Sequence, residues 1–335
     1  MFAACTVVAR NYLAQTRVLA TSFREHHPDE EFVVVVIDDD GTIGPDEPFT
    51  LVRPDELIDD RVELHRRGAM FGPRGLMGTL RPLLVRRLAR DYGTVLLLDA
   101  DACIYGDLAH VVSRADEHGL VLTPHLPSPV STSDAGYPLE ETFLKFGVFN
   151  GGFVAVGAKA RAFLDWWCDR TSRHCIEAPE QGYNYTQHWL TLAPAYFDHD
   201  VLRDPGISAM WWNLYDRDVD WSGDAPSISG VPLRHFHFTG FDPAEGTLLG
   251  RRDETARASF PGLELRPGLA RLCSEYADRV VAAGLDDAAR TPLPFVHLAD
   301  GTLFSDEART HYREAVEWAE ISGGVEPPNP FVVDG

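Results

Sequence analysis

Three segments in the first hundred residues of this chain are apolar at nearly every position: FAACTVVA from Phe2, FVVVVI from Phe32 and TVLLL from Thr94. A strand with one face in water alternates apolar and polar residues. An unbroken apolar run instead predicts a strand covered on both faces, as in a parallel sheet between helices. Segments with helical spacing separate the three runs. The order strand, helix, strand, helix, strand predicts an α/β fold of the nucleotide-binding, Rossmann-like kind with a mostly parallel central sheet.

The predicted helices have recognisable starts, and the pattern changes towards the end of the chain. Asn11 can cap the first helix, and Pro82 suits the first turn of a later helix that ends near Tyr92. After about residue 245 the periodicity predicts amphipathic helices and little strand. We therefore divide the chain into an α/β domain of residues 1–245 and a mainly helical C-terminal extension of residues 246–335 that packs on it.

The charge balance of the chain excludes several partners. Its 335 residues include 51 acidic and 30 basic ones, a net charge of −21. Such a surface repels nucleic acid and anionic lipid, so a polyphosphate ligand would need a local basic pocket or a metal ion. No apolar run approaches the roughly 20 residues that span a bilayer, and the apolar start lacks the features of a signal peptide. The five cysteines have no C-x-x-C spacing, which argues against a disulfide framework and a structural zinc site. We expect a cytoplasmic protein with no membrane span.

Two of the predicted strands run directly into a cluster of aspartates. The second strand ends in IDDDGT, where Asp38 and Asp40 fit the D-x-D-G-T nucleophile motif of haloacid-dehalogenase-type phosphatases. The third ends in LDADA, where Asp99 and Asp101 fit the D-x-D metal motif of nucleotide-sugar glycosyltransferases. Ligands of open α/β sheets bind at the carboxyl ends of the strands, so either cluster is suitably placed. The two motifs predict different enzymes.

The phosphatase interpretation requires a further acidic pair downstream, often G-D-x-x-x-D, that helps to hold magnesium. Four positions after Asp107 the chain has Val111, and four positions after Asp224 it has Ile228, so this pattern is missing. Asp and Gly also commonly end a buried strand in a turn. The first cluster is the weaker candidate. The two carboxylates of the second cluster can hold one divalent cation between them.

Four further segments follow one another in a characteristic order: CTVVARNYLAQTRVLATSF, YGTVLLLDADACIYGDL, VFNGGFVAVG and HFTGF. In this order they resemble GT-A glycosyltransferases, especially the glycogenin-like group (family eight) and a related, uncharacterised bacterial branch. The resemblance covers residues 2 to about 245 and implies a GT-A-type fold. It implies a hexosyltransferase that uses a nucleotide diphosphate sugar, with a UDP-sugar favoured, a hydroxyl acceptor, Mn²⁺ or Mg²⁺ and retention of the anomeric configuration. A family member that binds the donor without transferring it is the non-catalytic alternative.

The resemblance assigns roles to individual positions of this chain. The positions that match metal ligands are Asp99, Asp101 and His237. The positions that match donor-binding residues are Ala9, Tyr12, Arg81, Asp99, Ala100, Asp101, Asn150, Gly151, Gly152 and Gly240. The positions expected at the reacting carbon of the sugar are Asn150, Thr186 and Gln187.

These assignments agree with the chemistry of the residue types. Tyr12 can stack on the nucleobase, although a core-facing position in its helix is an open alternative. The Arg81 guanidinium suits a diphosphate, and glycines next to Asn150 let the backbone approach a sugar closely. An imidazole joined to two carboxylates favours manganese or a similar ion over calcium. His235 points to the same face of a strand as His237, and one of the two histidines could be structural. His237 is favoured as the ligand because it begins the segment HFTG.

One segment departs from the family pattern. The family has an Asp-Gln pair near the reacting carbon of the sugar, whereas this chain has Thr186-Gln187. Gln187 can still hydrogen-bond the sugar, but the carboxylate that would stabilise developing positive charge is missing. The segment MWWNLYDR offers Trp211, Trp212 and Asn213 as acceptor contacts, because indole faces stack on sugar rings. An aromatic core cluster is the alternative for this segment.

Overall fold

The computed structural model describes residues 1–130, 140–214, 217–244, 246 and 263–331. The strands in this part of the chain are β1 (Phe2–Val8), β2 (Glu31–Val36), β3 (Thr50–Val52), β4 (Thr94–Leu98), β5 (Ala102–Ile104), β6 (Leu120–Pro124), β7 (Phe149–Gly157), β8 (Glu177–Ala178), β9 (Tyr183–Asn184), β10 (Asp200–Val201), β11 (Val219–Ser222), β12 (Ala225–Ile228), β13 (Val231–Pro232) and β14 (His235–His237). The α-helices are α1 (Leu13–His26), α2 (Arg61–Leu88), α3 (Ala109–His118), α4 (Glu140–Phe146), α5 (Arg161–Arg173), α6 (Gln187–Tyr196), α7 (Pro267–Ala282), α8 (Leu285–Ala289) and α9 (Asp306–Ser322).

Seven strands form the central sheet, in the order β10-β6-β7-β4-β1-β2-β3. The pairs β1–β2, β1–β4, β2–β3 and β6–β10 are parallel, and β7 alone runs antiparallel to its neighbours β4 and β6. The predicted α/β class with a mostly parallel sheet is confirmed. Because β7 reverses the direction twice, β4 and β6 point the same way. Their carboxyl ends and the first residues of β7 therefore lie at one edge of the sheet.

The sheet is buried on both faces, as the unbroken apolar runs predict. In β1, Ala4 and Val8 face the apolar cluster that is built with α1 and α3. Cys5 and Val7, between them in sequence, face the opposite cluster, which is built with α2, α5 and α6. Successive side chains of a strand point to opposite faces, so apolar residues are favoured at every position, and buried Thr6 is the one polar residue of β1. All five cysteines of the chain are buried and unpaired.

The starts predicted for two helices are wrong. Asn11 lies in a short 3₁₀ turn before α1, whose N-cap position is Tyr12 and has no side-chain cap. Pro82 lies inside α2, which begins much earlier because the Asp60 carboxylate accepts the first backbone N–H groups of the helix. Asp60 is a strong N-cap residue, and its signal outweighs that of a proline further along the chain.

Helix α2 is broken in the middle. Gly72 adopts φ 68°, in the left-handed region that favours glycine, and Pro73 follows it. Pro73 has no backbone N–H to satisfy, so it suits the first turn of the second half of the helix. That half runs under the sheet and carries Arg81 towards the carboxyl edge of β4.

The C-terminal part of the described chain is helical and packs on the sheet domain. Helix α7 packs against α1 and β11, and α9 packs against α2. The division at residue 245 stays a prediction, because residue 245 and residues 247–262 lie outside the described part. No helix within the described ranges is long and apolar enough to cross a membrane.

Candidate metal centre

Two aspartates are brought to the edge of the sheet by β4 and β5. Asp99 is the first residue after β4, and Asp101 directly precedes β5. Strand β5 pairs antiparallel with β14, in a register that sets Ala102 opposite His237. A residue 136 positions away is therefore placed beside the aspartates: His237 Nε2 lies 2.9 Å from Asp101 Oδ1 and 3.6 Å from Asp99 Oδ2.

These three side chains can hold a metal ion. One ligand atom from each of Asp99, Asp101 and His237 lies within 4.8 Å of the other two, and no second group of this kind occurs among the described residues. Burial by itself would lower the pKa of His237, but the Asp101 and Asp99 carboxylates raise it above its ordinary value. Side-chain exposure is 22% for Asp99 and 24% for Asp101, so the carboxylates face an open space. Two carboxylates and one imidazole suit a divalent ion such as Mn²⁺ or Mg²⁺.

Asp99 is fixed by groups from two neighbouring elements. Its backbone N–H donates to the Gly152 carbonyl at 2.9 Å, and its carboxylate contacts the Arg81 guanidinium. A Cβ on Gly152 would lie 2.7 Å from Asp99 Cγ, so only glycine leaves room for the carboxylate. The predicted positions Arg81, Asp99 and Gly152 are therefore brought together.

Asn150 and Gln187 lie beside this group and are held by hydrogen bonds. The Asn150 side chain donates to Ser208 Oγ at 2.8 Å and accepts from the Gly152 N–H at 2.9 Å. Gln187 accepts from the Gly151 N–H at 3.0 Å. Both amides are oriented by their partners, and Gly151 faces Gln187, the first residue of α6.

Thr186 occupies the buried N-cap position of α6, and its carbonyl accepts from Trp167 Nε1 at 3.3 Å. Two non-glycine residues near this site have left-handed backbone: Tyr185, with φ 47°, precedes Thr186, and Ser208, with φ 52°, receives the Asn150 amide. Such strain concentrates at functional sites, where the surrounding structure holds it in place.

The residues predicted to bind the nucleobase lie at the end of β1. Ala9 is buried, and its carbonyl accepts from the Tyr12 N–H at 2.9 Å. Tyr12 is 40% exposed, so part of this residue is accessible at the surface. Ala100, between the two aspartates, is buried, and Gly240 has φ 76° in the turn that follows β14.

The aromatic segment predicted to contact an acceptor is divided between core and site. Trp211 is 8% exposed and belongs to an apolar cluster. Asn213 is buried, and its side chain binds the backbone of Ser208 and Met210. Both positions fit the core alternative. Trp212 packs against the same apolar cluster but is only half-buried, so it is the one residue of the three with a partly exposed surface.

His235 and the first aspartate cluster lie outside the candidate centre. The His235 ring is fully buried and packs edge-on against Phe153, and burial lowers its pKa to about 3. Asp38 accepts the Arg10 backbone N–H at 2.8 Å, and the Arg10 guanidinium contacts Asp40. Within the described residues these aspartates therefore form a turn held by an arginine, and no group of metal ligands includes them.

Sequence reasoning missed His125 at this site. It follows β6 directly and is 4% exposed, with its ring stacked on Phe143 at 4.8 Å and tilted against Trp212 at 5.4 Å. The side chain of Gln187 is also close enough to affect its pKa. The usable signal was its position, since a polar residue directly after a buried strand lies at the edge where ligands bind.

The fold and the site together define an α/β protein with an Asp-Asp-His group at the carboxyl edge of a mostly parallel sheet. No protein family model matches the chain, and no curated protein matches it. Among solved structures, the chain is similar to the galactosyltransferase LgtC in complex with donor and acceptor sugar analogs, at 17% identity and a TM-score of 0.47, over 83% of this chain and 95% of that one.

Two more glycosyltransferases of solved structure are similar. One is GlyE of Streptococcus pneumoniae TIGR4, at 13% identity and a TM-score of 0.43, over 88% of this chain and 66% of that one. The other is mouse xyloside xylosyltransferase 1, at 11% identity and a TM-score of 0.42, over 71% of this chain and 97% of that one. Glycosyltransferases are thus among the structures that this chain resembles, as its motifs predict. Likeness at this level assigns no activity, which is inferred from the chain's own residues.

Proposed function

We propose that this protein is a glycosyltransferase that moves a hexose from a nucleotide diphosphate sugar, with a UDP-sugar favoured, to a hydroxyl acceptor, and that it uses Mn²⁺ or Mg²⁺. The observation that carries the proposal is the convergence of Asp99, Asp101 and His237, with Arg81 beside Asp99, at the carboxyl edge of the sheet. Open α/β sheets bind their ligands at this edge.

The residues of the centre suit a diphosphate. Asp99, Asp101 and His237 would hold the divalent ion, which when bound neutralises charge on the leaving nucleoside diphosphate. The Arg81 guanidinium offers a planar pair of donors that matches phosphate oxygens. In a chain with a net charge of −21, a polyanion needs such local positive charge to bind.

The neighbouring residues suit the two ends of a sugar nucleotide. Tyr12 is exposed next to Ala9 and can stack on a nucleobase. Gly151 and Gly152 allow close approach of a hexose to the backbone, and Gln187 lies against Gly151. Trp212, which is half-buried, would contact an acceptor sugar. These roles extend the metal centre into a donor site with an adjoining acceptor site.

Thr186 raises two questions that need their own measurements: the stereochemistry of transfer, and whether the bound sugar is transferred at all. It supplies no carboxylate next to Gln187, so charge stabilisation at the reacting carbon falls to hydrogen-bonding groups. We expect retention of the anomeric configuration, which NMR of the first product measures directly. The same residue favours one second candidate, a protein that binds the sugar nucleotide without transferring it. Donor binding with neither transfer nor hydrolysis would identify that case.

A thermal-shift screen of nucleotides and nucleotide sugars, with Mn²⁺ or with a chelator, tests the proposal without knowledge of the acceptor. A ligand present at about 100 times its Kd stabilises the folded state by roughly 2.7 kcal/mol, which raises the melting temperature visibly. We expect UDP and its sugars to stabilise the protein strongly only with Mn²⁺. Asp101→Asn should lose the Mn²⁺-dependent part, while the matched variant Asp38→Asn should keep it.

Two results of this screen would contradict the proposal. Equal shifts by UDP with Mn²⁺ and with chelator would remove the metal from nucleotide binding. Stabilisation by sugar phosphates but by no nucleotide, lost in Asp38→Asn and kept in Asp101→Asn, would point instead to a phosphatase that uses Asp38 and Asp40.

A further inference from the structure

His125 is a buried polar side chain without an evident structural task. It is 4% exposed, and neither ring nitrogen forms a hydrogen bond of ordinary geometry with the described residues. Buried polar atoms in folded proteins are nearly always hydrogen-bonded. The Gln187 side chain is close enough to offer one ring nitrogen a weak hydrogen bond, so at least the other nitrogen calls for a partner. The ring is nevertheless well fixed, by stacking on Phe143 at 4.8 Å and by contact with Trp212 at 5.4 Å.

The position of His125 points to a ligand as that partner. It follows β6, whose carboxyl end lies at the same edge of the sheet as that of β4. Its backbone N–H donates at 3.0 Å to the carbonyl of Val148, the residue before β7 and two positions before Asn150. The Gln187 side chain lies close by. His125 thus lies between the residues assigned to the donor hexose and the Trp212 indole.

The protonation state of His125 limits what it can bind. Burial lowers the pKa of this histidine to about 3, and the nearby Gln187 amide opposes that effect only in part. The ring is therefore neutral at neutral pH, with one nitrogen that donates and one that accepts. A hydroxyl group, which also donates and accepts, is the matching partner. An anion is a poorer match, because the neutral ring offers it no positive charge.

We propose that His125 is a specificity-determining residue that hydrogen-bonds one hydroxyl of the transferred hexose. This inference rests on the proposed function and adds to it a residue that recognises the transferred sugar. Its role differs from that of the metal centre, because it concerns the hexose and leaves the nucleotide diphosphate untouched. His125 should consequently affect which sugar is bound and not whether UDP is bound.

The test compares His125→Phe with the wild type, since phenylalanine keeps a ring for stacking and removes both nitrogens. With Mn²⁺ present, calorimetry measures the affinities for UDP, for UDP-glucose and UDP-galactose, and for their monodeoxy analogues. We expect UDP affinity to stay within about twofold and the preferred UDP-hexose to bind about three- to tenfold more weakly, the range of one net hydrogen bond. Removal of one particular hydroxyl should weaken binding in the wild type and have no further effect in His125→Phe.

Two further variants separate recognition from structure. His125→Asn keeps a donor and an acceptor and should restore part of the sugar discrimination. His65→Phe replaces a histidine of α2 that packs on Phe295 and likewise has an unpartnered ring nitrogen, and it should leave every affinity unchanged. His125→Phe should melt no lower than the wild type, because it removes unsatisfied buried atoms.

The outcomes distinguish the two proposals. If wild-type protein shows no Mn²⁺-dependent binding of UDP, the proposed function and this inference both fail. If UDP binds but every hydroxyl contributes equally in the wild type and in His125→Phe, this inference alone is overturned. If only the KM of an acceptor changes, His125 reads the acceptor and the assignment to the donor hexose is wrong.

Discussion

Gly152 lies so close to the Asp99 carboxylate that a side chain at this position would push it away. Substitution of Gly152 by alanine tests whether the position of Asp99 matters. In Gly152→Ala the new Cβ would lie 2.7 Å from Asp99 Cγ, so the carboxylate must move away from Asp101 and His237. We expect the affinity for Mn²⁺ to fall about tenfold or more, a loss typical of disturbed ligand positions. Manganese titration followed by electron paramagnetic resonance measures this loss.

Gly151→Ala is the matched control for that substitution. A Cβ at Gly151 would meet its nearest atom, Cβ of Gln187, at 3.4 Å, which is an ordinary contact. We expect Gly151→Ala to bind Mn²⁺ like the wild type, although it could affect the hexose. Equal Mn²⁺ affinity in the two alanine variants would show that Asp99 is not needed where the structure places it.

At the scale of elements, an arginine of the last helix holds the break in α2. The buried Arg309 side chain donates to the Gly68 and Ala69 carbonyls at 2.8 and 2.7 Å and to the Phe295 carbonyl at 2.7 Å. These carbonyls of α2 precede Gly72, where the helix is interrupted and its ordinary hydrogen bonds end. Arg309 of α9 therefore caps the C-terminal end of the first half of α2.

Replacement of Arg309 by methionine should destabilise the protein by about 3 kcal/mol, because hydrogen bonds from a charged donor to buried carbonyls are lost together. Urea unfolding followed by circular dichroism measures the change. Arg290→Met is the control, since Arg290 is exposed and pairs with exposed Asp287; its effect should stay within about 0.5 kcal/mol. Equal losses in the two variants would contradict the capping role.

A second element, the turn at residues 204–206 that contacts the start of β14, gives a pH dependence. Asp204 accepts from the Gly206 N–H at 2.8 Å, and the Gly206 carbonyl accepts from Arg234 and His235 at the entry to β14. His110 Nε2, 3.1 Å from Asp204 Oδ2, together with the Gly206 N–H and Arg234, lowers the pKa of Asp204. A lowered pKa in the folded state means that the carboxylate stabilises the fold above its unfolded pKa, and that this contribution disappears as the pH falls through the folded pKa.

The urea midpoint of Asp204→Asn should therefore lie below that of the wild type at pH 6. The gap should begin to shrink near the unfolded pKa of about 3.9 and should close only as the pH falls through the lower folded pKa. Paired denaturation curves at several pH values measure the gap. A difference between the two proteins that stays constant over this range would show that the charge of Asp204 contributes nothing.

At the scale of the whole molecule, the C-terminal helices share a core with the sheet domain. The Phe238 ring, one residue after His237, stacks on Tyr276 of α7 at 3.7 Å. The same apolar cluster contains Val18 of α1 and Leu272 of α7. A core shared in this way couples the unfolding of the two parts, so we propose that the C-terminal helices are not an independent domain.

Unfolding should accordingly occur in one transition. Urea curves from tryptophan fluorescence and from far-ultraviolet circular dichroism should superimpose, and Tyr276→Ala should shift both curves by about 3–5 kcal/mol, as large-to-small core substitutions do. Trp318→Ala, on an exposed side chain of α9, should shift neither curve by more than about 0.5 kcal/mol. Two separate transitions would establish an independently folding extension.

The sequence by itself determined that the central sheet lies between layers of helices, and it placed the two aspartates of the candidate centre at the end of a strand. Unbroken apolar runs predict strands buried on both faces, and that local signal is strong because every side chain of such a strand meets a core. The position of Asp99 and Asp101 at a strand end follows from the same pattern. Helix starts were less predictable, since the Asp60 cap and the Gly72 break outweigh the signal of Pro82.

The family resemblance indicates His237 as the third ligand, but only the tertiary structure decided how a residue so distant in sequence joins the aspartates. His235 and His237 look alike in sequence, and the register of β14 on β5 sets His237 beside Asp101 and leaves His235 against Phe153. That register is a long-range pairing, which no local pattern encodes. The place of His125 beside the site likewise depends on the reversed strand β7, which brings the carboxyl ends of β4 and β6 to the same edge of the sheet.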